Sequence, residues 1–493
     1  MSTSVEPSPA EPLGDPVQGG SPAPRHRLAL AVLAGSGLMT VLDGSIVTVA
    51  MPTLQRDLGF GAASLSWVVN AYLLAFGGLL LLAGRLGDLV GRRKVFLAGI
   101  GLFTAASVCA GTAGSPAALI VARALQGVGS ALASAVALGI LVTLFTGRRE
   151  RAGALAVFAF TGSVGASLGQ VLGGVLTDAL GWQWIFLVNL PVGVAVVLGA
   201  LRSLPADSGP GLRAGTDAPG ALLVTAGLVL GIHDVVNADT HGWTSARTLG
   251  LGALALLLLA GFFVRQARAR TPLMPLRVLR SRAVAGANVV LMLTVAAMFA
   301  FQIVLALYLQ QVLGYGATAS GLAMLPAAVV IGVFSLGVSA RLNARFGERR
   351  VVPAGLLLLI TLQLLLSRIP VDAHYPVHVL PLLLLAAGFG LALPGLTALG
   401  MSGAGSADAG LVSGLFNTSQ QIGMALGAAV LTTLAAGRTG HLRAQGHGAA
   451  ESLAGGYHLA FTVGAGLLTA ALLVTLTVLR RHTPAPRAPS THR

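Results

Sequence analysis

The chain has 493 residues, of which 55% are hydrophobic and only 10% charged, and its mean hydropathy is +0.83. A soluble fold of that length needs far more charge to cover its surface, and a lone cysteine, Cys109, excludes a disulfide framework and a multi-cysteine metal site. The formal net charge of +15 does not point to nucleic acid, because the basic residues come in short clusters between apolar stretches.

Residues 1–27, with Pro, Ser and Gly in excess, read as a disordered tail, and residues 480–493 as another. Between them, spans fall near 28–52, 64–83, 95–113, 118–145, 152–177, 184–201, 219–236, 248–264, 283–310, 319–340, 351–367, 378–398, 410–436 and 457–479. Each is an apolar stretch of about eighteen residues or more, enough to cross ~30 Å of hydrocarbon. Recurrence along the whole chain excludes a lone signal peptide or single anchor. The sequence therefore predicts an all-α membrane protein of about fourteen transmembrane helices. Six of these spans fall within residues 28–203, two within 204–282 and six within 283–479.

Arg and Lys crowd into alternate connections, at Arg25–Arg27, Arg85–Lys94, Arg148–Arg151, Arg202–Arg213, Arg265–Arg282, Arg341–Arg350 and Arg480–Arg493. The intervening connections carry only Arg56, Arg247, Arg368, Arg438 and Arg443. Such a bias places both termini on the cytoplasmic side of the cell (inner or plasma) membrane. The segment Leu399–Ala409, without a basic residue, does not contribute to it.

Several strings carry chemistry. Asp43, in Leu42-Asp43-Gly44-Ser45, is the most deeply placed acid, about fifteen residues into the first span. A carboxylate at membrane depth is expensive unless paired or hydrated, so Asp43 is a protonatable site or cation contact, or else a structural hydrogen bond to Ser45 or a neighbouring helix. After the second span comes Gly84-Arg85-Leu86-Gly87-Asp88-Leu89-Val90-Gly91-Arg92-Arg93-Lys94. Its glycines let helix ends approach, and Asp88 can accept from a helix N-terminus or a guanidinium; ordinary positive-inside charge is the other reading. A faint repeat, Ala340-Arg341-Leu342 through Gly347 to Arg349-Arg350, follows the tenth span, as expected of a transporter built from matched halves.

Arg123, in the fourth span, cannot readily lose its charge. It serves as the fixed positive partner of an acid, or snorkels to the interface, with Gln126 one turn along. In the fifth span Gly165, Gly169, Gly173 and Gly174 give a smooth face for a neighbouring helix, with Gln170 among them as a possible polar contact to substrate. His233 and Asp234 close the seventh span at an interface. Gln302, Tyr308, Gln310 and Gln311 of the ninth suit an amphipathic organic ligand or form an interfacial belt. Asn417, Thr418, Gln420 and Gln421 of the thirteenth line a cavity or bind helices together. The ten histidines lack ligand spacing and no phosphate loop is present, so neither a metal site nor a nucleotide-driven cycle is expected.

Together these strings resemble the major facilitator superfamily, and within it the fourteen-helix drug:proton antiporters. Residues 84–94 resemble the loop between helices 2 and 3, 42–52 the helix 1 motif, 119–131 the helix 4 motif and 162–174 the glycine-rich antiporter motif. Trp182–Pro191 is similar to the start of helix 6, and the strings around Asn417 to that family's helix 13. Thr48 stands where the family usually has Asn, and Gln170 where it has Pro.

The resemblance implies two pseudo-symmetric six-helix halves rocking about a central cavity. Protons, the coupling ion, would pass through Asp43 tuned by Arg123, with no other cofactor. The loop of Gly84, Arg85, Gly87, Asp88, Gly91, Arg92 and Arg93 would latch the cytoplasmic side. Gln126, Gln302, Tyr308, Asn417, Gln420 and Gln421 would line the cavity. The cargo would be hydrophobic or cationic drugs or antibiotics, exported by a monomer in the lipid bilayer. Gln170 leaves the direction open, so a narrow-specificity exporter or importer of a native metabolite is the alternative. A membrane-embedded receptor or enzyme is a further one, but an enzyme needs a cluster of titratable groups at membrane depth, and only Asp43 and Arg123 sit far from the loops.

Overall fold

The computed structural model describes residues 24–61, 64–145, 148–207, 209, 211, 217–242, 244–269, 272–273, 276–402 and 409–479. Most of both expected tails, Arg213 and most of the Leu399–Ala409 connection lie outside them. In hydrocarbon every backbone N–H and C=O must find a partner within its own segment, which makes apolar stretches helical. The helices are α1 (Pro24–Leu58), α2 (Trp67–Val90), α3 (Arg92–Gly111), α4 (Pro116–Leu144) and α5 (Arg148–Leu180). Next come α6 (Trp184–Ser203), α7 (Ala218–His241), α8 (Ala246–Arg268) and α9 (Arg282–Gln311). Then α10 runs from Ala317–Val333 through a wider π turn, Phe334–Val338, into Ser339–Phe346. The last are α11 (Glu348–Leu366), α12 (Tyr375–Met401), α13 (Ala409–Ala444) and α14 (Ala449–Val474).

Among the described residues, 11 helices are long and apolar enough to cross a membrane, and the pair Ser64–Leu80 and Leu82–Val90, bent by 51°, adds a twelfth span. Helices α5 and α10, whose apolar stretches are shorter, occupy the remaining places that the sequence marks. Many ends lie a few residues beyond the expected spans, and two of them show why. Helix α1 starts at Pro24 rather than beyond Arg27, since proline suits a first helical turn, whose N–H groups have no intrahelical partner. Helix α13 continues through Arg438 and Arg443 to Ala444, because polar residues prolong a helix at no cost once it leaves hydrocarbon. A turn at Gly446, with φ 86°, then leads into α14.

The faint repeat is real in the backbone. Gly91 (φ 111°) and Gly347 (φ 77°) each stop one helix and start the next in a conformation that side chains rarely adopt. Gly91 N donates to Gly87 O at 3.0 Å and Gly347 N to Asn343 O at 2.9 Å. A second correspondence lies in the packing of α5 on α1 and of α13 on α9. A Cβ on Gly173 would stand 2.6 Å from Ile46 O, and one on Gly423 2.6 Å from Met292 O. Helices thus touch backbone to backbone in both halves.

The two extra helices are not equivalent. Helix α7 packs against both α2 and α13, at the seam between the halves. A Cβ on Gly78 would meet Thr225 Oγ1 at 2.5 Å, and the Trp67 and His233 rings lie 6.2 Å apart. Helix α8 packs on α7 and turns Leu249, Leu256 and Leu257 outward. Asp217 ties the two: it caps α7 through Gly220 N (3.1 Å) and accepts from Arg265 Nε (2.9 Å) and Gln266 Nε2 (2.6 Å) of α8. Burial works against its charge, but the bonds to Arg265, Gln266 and Gly220 outweigh it and hold the carboxyl below its ordinary range. The expectation that α7 closes at His233 and Asp234 is corrected. Asn237 Nδ2 donates to His233 O at 2.7 Å, the helix runs on to His241, and Asp234 is buried facing Gly252 of α8.

A Cβ on Gly427 would collide with Ala296 O, whereas one on Gly466 meets open space. Thermal unfolding of the detergent-solubilised protein should therefore show Gly427→Ala destabilised by about 1–3 kcal/mol, with Gly466→Ala within ~0.5 kcal/mol of the parent.

Candidate functional site

Helical spacing builds the first part of the site. Arg123, Gln126 and Ser130 recur at three and four residues, which puts them on one face of α4. That face meets Asp43 of α1, Tyr72 of α2 and Ser107 of α3, and Asn189 of α6 joins through Asp43. Arg123 Nη1 donates to Asp43 Oδ2 in a close ion pair and to Gln126 Oε1 at 2.9 Å, and Arg123 Nε donates to Val68 O at 2.8 Å. Asp43 Oδ1 accepts from Asn189 Nδ2 at 3.0 Å and from Gln126 Nε2 at 3.2 Å. Gln126 Nε2 also donates to Ser107 Oγ at 2.8 Å. The guanidinium lies 4.5 Å over the Tyr72 ring, whose hydroxyl donates to Ser130 Oγ at 3.0 Å.

Both charged side chains are no more than 1% exposed. Coulomb attraction offsets the desolvation of a buried pair only when the remaining lone pairs and N–H groups are also bonded. Here Asp43 has donors on both oxygens, and Arg123 has a carbonyl, an amide and an aromatic face. Ser45, the expected local partner of Asp43, instead donates to Val41 O at 3.2 Å, and Thr48 to Ser45 O at 2.7 Å.

The second part is a cavity of about 250 Å³ between the halves. Phe76, Phe299, Phe301 and Phe389 supply rings, and Gln170, Gln302, Gln420 and Gln421 supply amides. Among the described residues Arg123 is the charged side chain on this wall, and no carboxylate lines it. Asp43 lies behind Arg123, fully buried.

The end of the bundle away from the chain termini is closed. Asp178 Oδ2 of α5 accepts from Thr318 N of α10 at 2.7 Å, and a Cβ on Gly174 would be 2.6 Å from Ala317 O. Gln310 Nε2 of α9 donates to Val49 O of α1 at 2.9 Å, and Gln311 Nε2 to Gln55 Oε1 at 3.3 Å. At the termini end, Asp88 is half exposed and pairs with Arg92 of its own loop at 3.1 Å. Asp207, after α6, caps α3 there, accepting from Arg92 N (2.7 Å) and Arg93 N (3.0 Å), while Arg93 Nη2 donates to Leu201 O at 2.7 Å. Gly87 packs on Val136 and Gly91 on Asp207; Gly84 is half-buried and Arg85 exposed.

Of the residues expected at the cavity, Gln302, Gln420 and Gln421 line it, and so does Gln170. Gln126 does not; it belongs to the Asp43 network. Tyr308 is fully buried, its hydroxyl donating to Pro370 O at 2.6 Å, and packs α9 rather than facing cargo. Asn417 stands behind Gln421, accepting from its Nε2 at 3.4 Å. Gly165 and Gly169 lie on α1, and Gly173 with them. Tyr72, Ser107, Asn189 and Asp207 were not expected. Asn189 was visible as the polar residue in Trp184–Pro191; the others carry no local signal. Among the described residues no group of three or more His, Cys, Asp or Glu could hold a metal.

A helical bundle of two matched halves, with a cavity between them and one end closed, defines a multi-pass membrane transporter. The family model of the Major Facilitator Superfamily matches residues 33–428, and the chain belongs to that family. It is 38% identical to the puromycin resistance protein pur8 of Streptomyces alboniger, over 92% of this chain and 91% of the relative. It is 39% identical to the cephamycin export protein CmcT of Amycolatopsis lactamdurans, over 92% and 93%. Among solved structures, a bacterial homolog to the human lysosomal transporter Spinster, inward-facing and unoccupied, superposes with TM-score 0.66 at 16% identity, covering 94% of this chain and 100% of that one. These are transporters, not enzymes.

Removing one partner of the buried pair strands the other. Asp43→Asn and Arg123→Gln should each lower thermal stability by about 3–5 kcal/mol. The double variant should lose less than the sum, a positive coupling that a double-mutant cycle on melting curves measures.

Proposed function

We propose that the protein exports small, hydrophobic organic molecules of the antibiotic kind by alternating access, in exchange for protons. The observation that carries the reading is the Asp43–Arg123 pair, sealed in one half with Arg123 forming part of the cavity wall. The names of the relatives, a puromycin resistance protein and a cephamycin export protein, support export. Clustered arginine at the termini end supports cytoplasmic termini in the cell membrane. In that orientation the closed end faces outward and cargo enters from the cytoplasmic side.

Protonation of Asp43 would remove the charge that holds Arg123. The guanidinium would then be free to shift against Tyr72 and the cavity wall, so that proton and cargo bias the same element in opposite directions. Narrow-cargo export of a single native metabolite is the second reading, favoured because those two relatives are each named for one compound.

Cells expressing the protein should expel a fluorescent lipophilic dye, from a panel of charged and uncharged dyes, and a protonophore should abolish that efflux. Asp43→Asn should reduce it at least ~100-fold. Coupled efflux by Asp43→Asn at the parent rate would remove Asp43 from the proton path. Absence of efflux for every dye would favour the single-metabolite reading.

A further inference from the structure

We infer that the central cavity selects uncharged, ring-bearing molecules that donate hydrogen bonds, with Gln170 and Gln421 as paired acceptors from opposite halves. The inference rests on the export reading for its site and names the cargo chemistry that site accepts.

Charge comes first. A cation in the cavity would meet Arg123 and no carboxylate on the described wall. Asp43 cannot serve it, since it is fully buried and both its oxygens accept bonds from Arg123, Gln126 and Asn189. An anion gains little either, because the charge of Arg123 is already matched by Asp43 at contact distance. The wall is therefore close to neutral, and desolvating an ion there has no compensation.

The polar atoms on the wall say what is wanted instead. Gln170 is 2% and Gln421 8% exposed, and the Oε1 of each is buried without a hydrogen-bond partner. The amide nitrogen of Gln421 is engaged with Asn417 Oδ1 at 3.4 Å, which leaves its oxygen as the free end. Two buried acceptors beside a cavity call for donors, hydroxyl or N–H, brought by whatever binds. The rings of Phe76, Phe299 and Phe389 on the same wall suit a flat, apolar body between those donors.

Both glutamines also sit at close crossings between the halves. A Cβ on Gly321 of α10 would collide with Gln170 O, and one on Gly77 of α2 would lie 2.7 Å from Gln421 Cβ. Each acceptor is thus fixed at a helix crossing, one on α5 and one on α13. A ligand bonded to both spans the two halves, and rocking, which separates them, breaks one bond and releases it.

The test is equilibrium binding to the purified full-length protein, using three probes on one skeleton. They are 2,6-bis(hydroxymethyl)anthraquinone, its dimethyl ether and a bis(trimethylammoniomethyl) analogue. The diol should bind at least about tenfold more tightly than the ether and than the dication, and Gln170→Met or Gln421→Met should each erase about tenfold of the diol-over-ether preference. Gln170→Met removes an unpartnered acceptor, so its melting temperature should equal or exceed the parent's; Gln421→Met also loses the long bond to Asn417 and should stay close to the parent, which separates lost recognition from misfolding. Equal binding of diol and ether, tighter binding of the dication, or an unchanged preference in both variants would overturn the inference. Diol-selective binding without proton-dependent efflux would instead leave the inference standing and remove the export reading.

Discussion

Everything in the first half is arranged around one buried charge pair. Asp43 and Arg123 come from α1 and α4, and the groups that satisfy them come from α2, α4 and α6, with α3 reached through Gln126 and Ser107. A pair at that depth persists because both carboxylate oxygens of Asp43 and the Nε and Nη1 of Arg123 are bonded and Tyr72 covers the guanidinium face. The consequence is that five helices are locked in register by polar bonds in a medium where apolar packing gives no preference. Among the described residues the second half shows no buried ion pair, and its α9 and α13 meet at backbone contact as α1 and α5 do in the first. The two halves share a backbone plan but not a buried charge pair, which is why the proposed proton coupling is assigned to the first half.

The boundary between the halves is asymmetric too. At the end away from the termini, Asp178, Thr318, Gln310 and Gln311 join the halves with hydrogen bonds that the proposed rocking must break. Helix α7 lies along the seam against α2 and α13, so a rocking step must slide one of those contacts. At the termini end the signature loop is braced within its own half, by Asp207 on the N-terminus of α3, and Asp88 is left half exposed. A half-exposed Asp88, paired with Arg92 of its own loop, is what the loop shows while the opposite end is shut.

Much of this was legible in the sequence. Hydropathy placed the helices because the bilayer imposes length and helicity together, and glycine with a basic pair marked the two matched turns at Gly91 and Gly347. The depth of Asp43 and Arg123 marked them as costly residues in need of partners. The partners themselves were harder to see. Tyr72, Ser107 and Asn189 are ordinary residues whose role comes from helix packing alone, and Asp207 lies outside any motif. Tyr308 was misplaced because an aromatic near a span end looks the same whether it faces cargo or bonds Pro370 O. The position of α7 was hidden for a similar reason: hydropathy says that a helix spans, not which neighbours it touches.

The central claim is that cargo and proton compete through the Asp43–Arg123 pair. The most direct measurement is proton release from purified protein in a weakly buffered, indicator-containing solution when cargo is added. With the measurement repeated at successively lower pH, the account predicts release by the parent once the medium protonates Asp43, and none by Asp43→Asn at matched cargo occupancy. Equal release by both proteins would contradict it and place the coupling on another group.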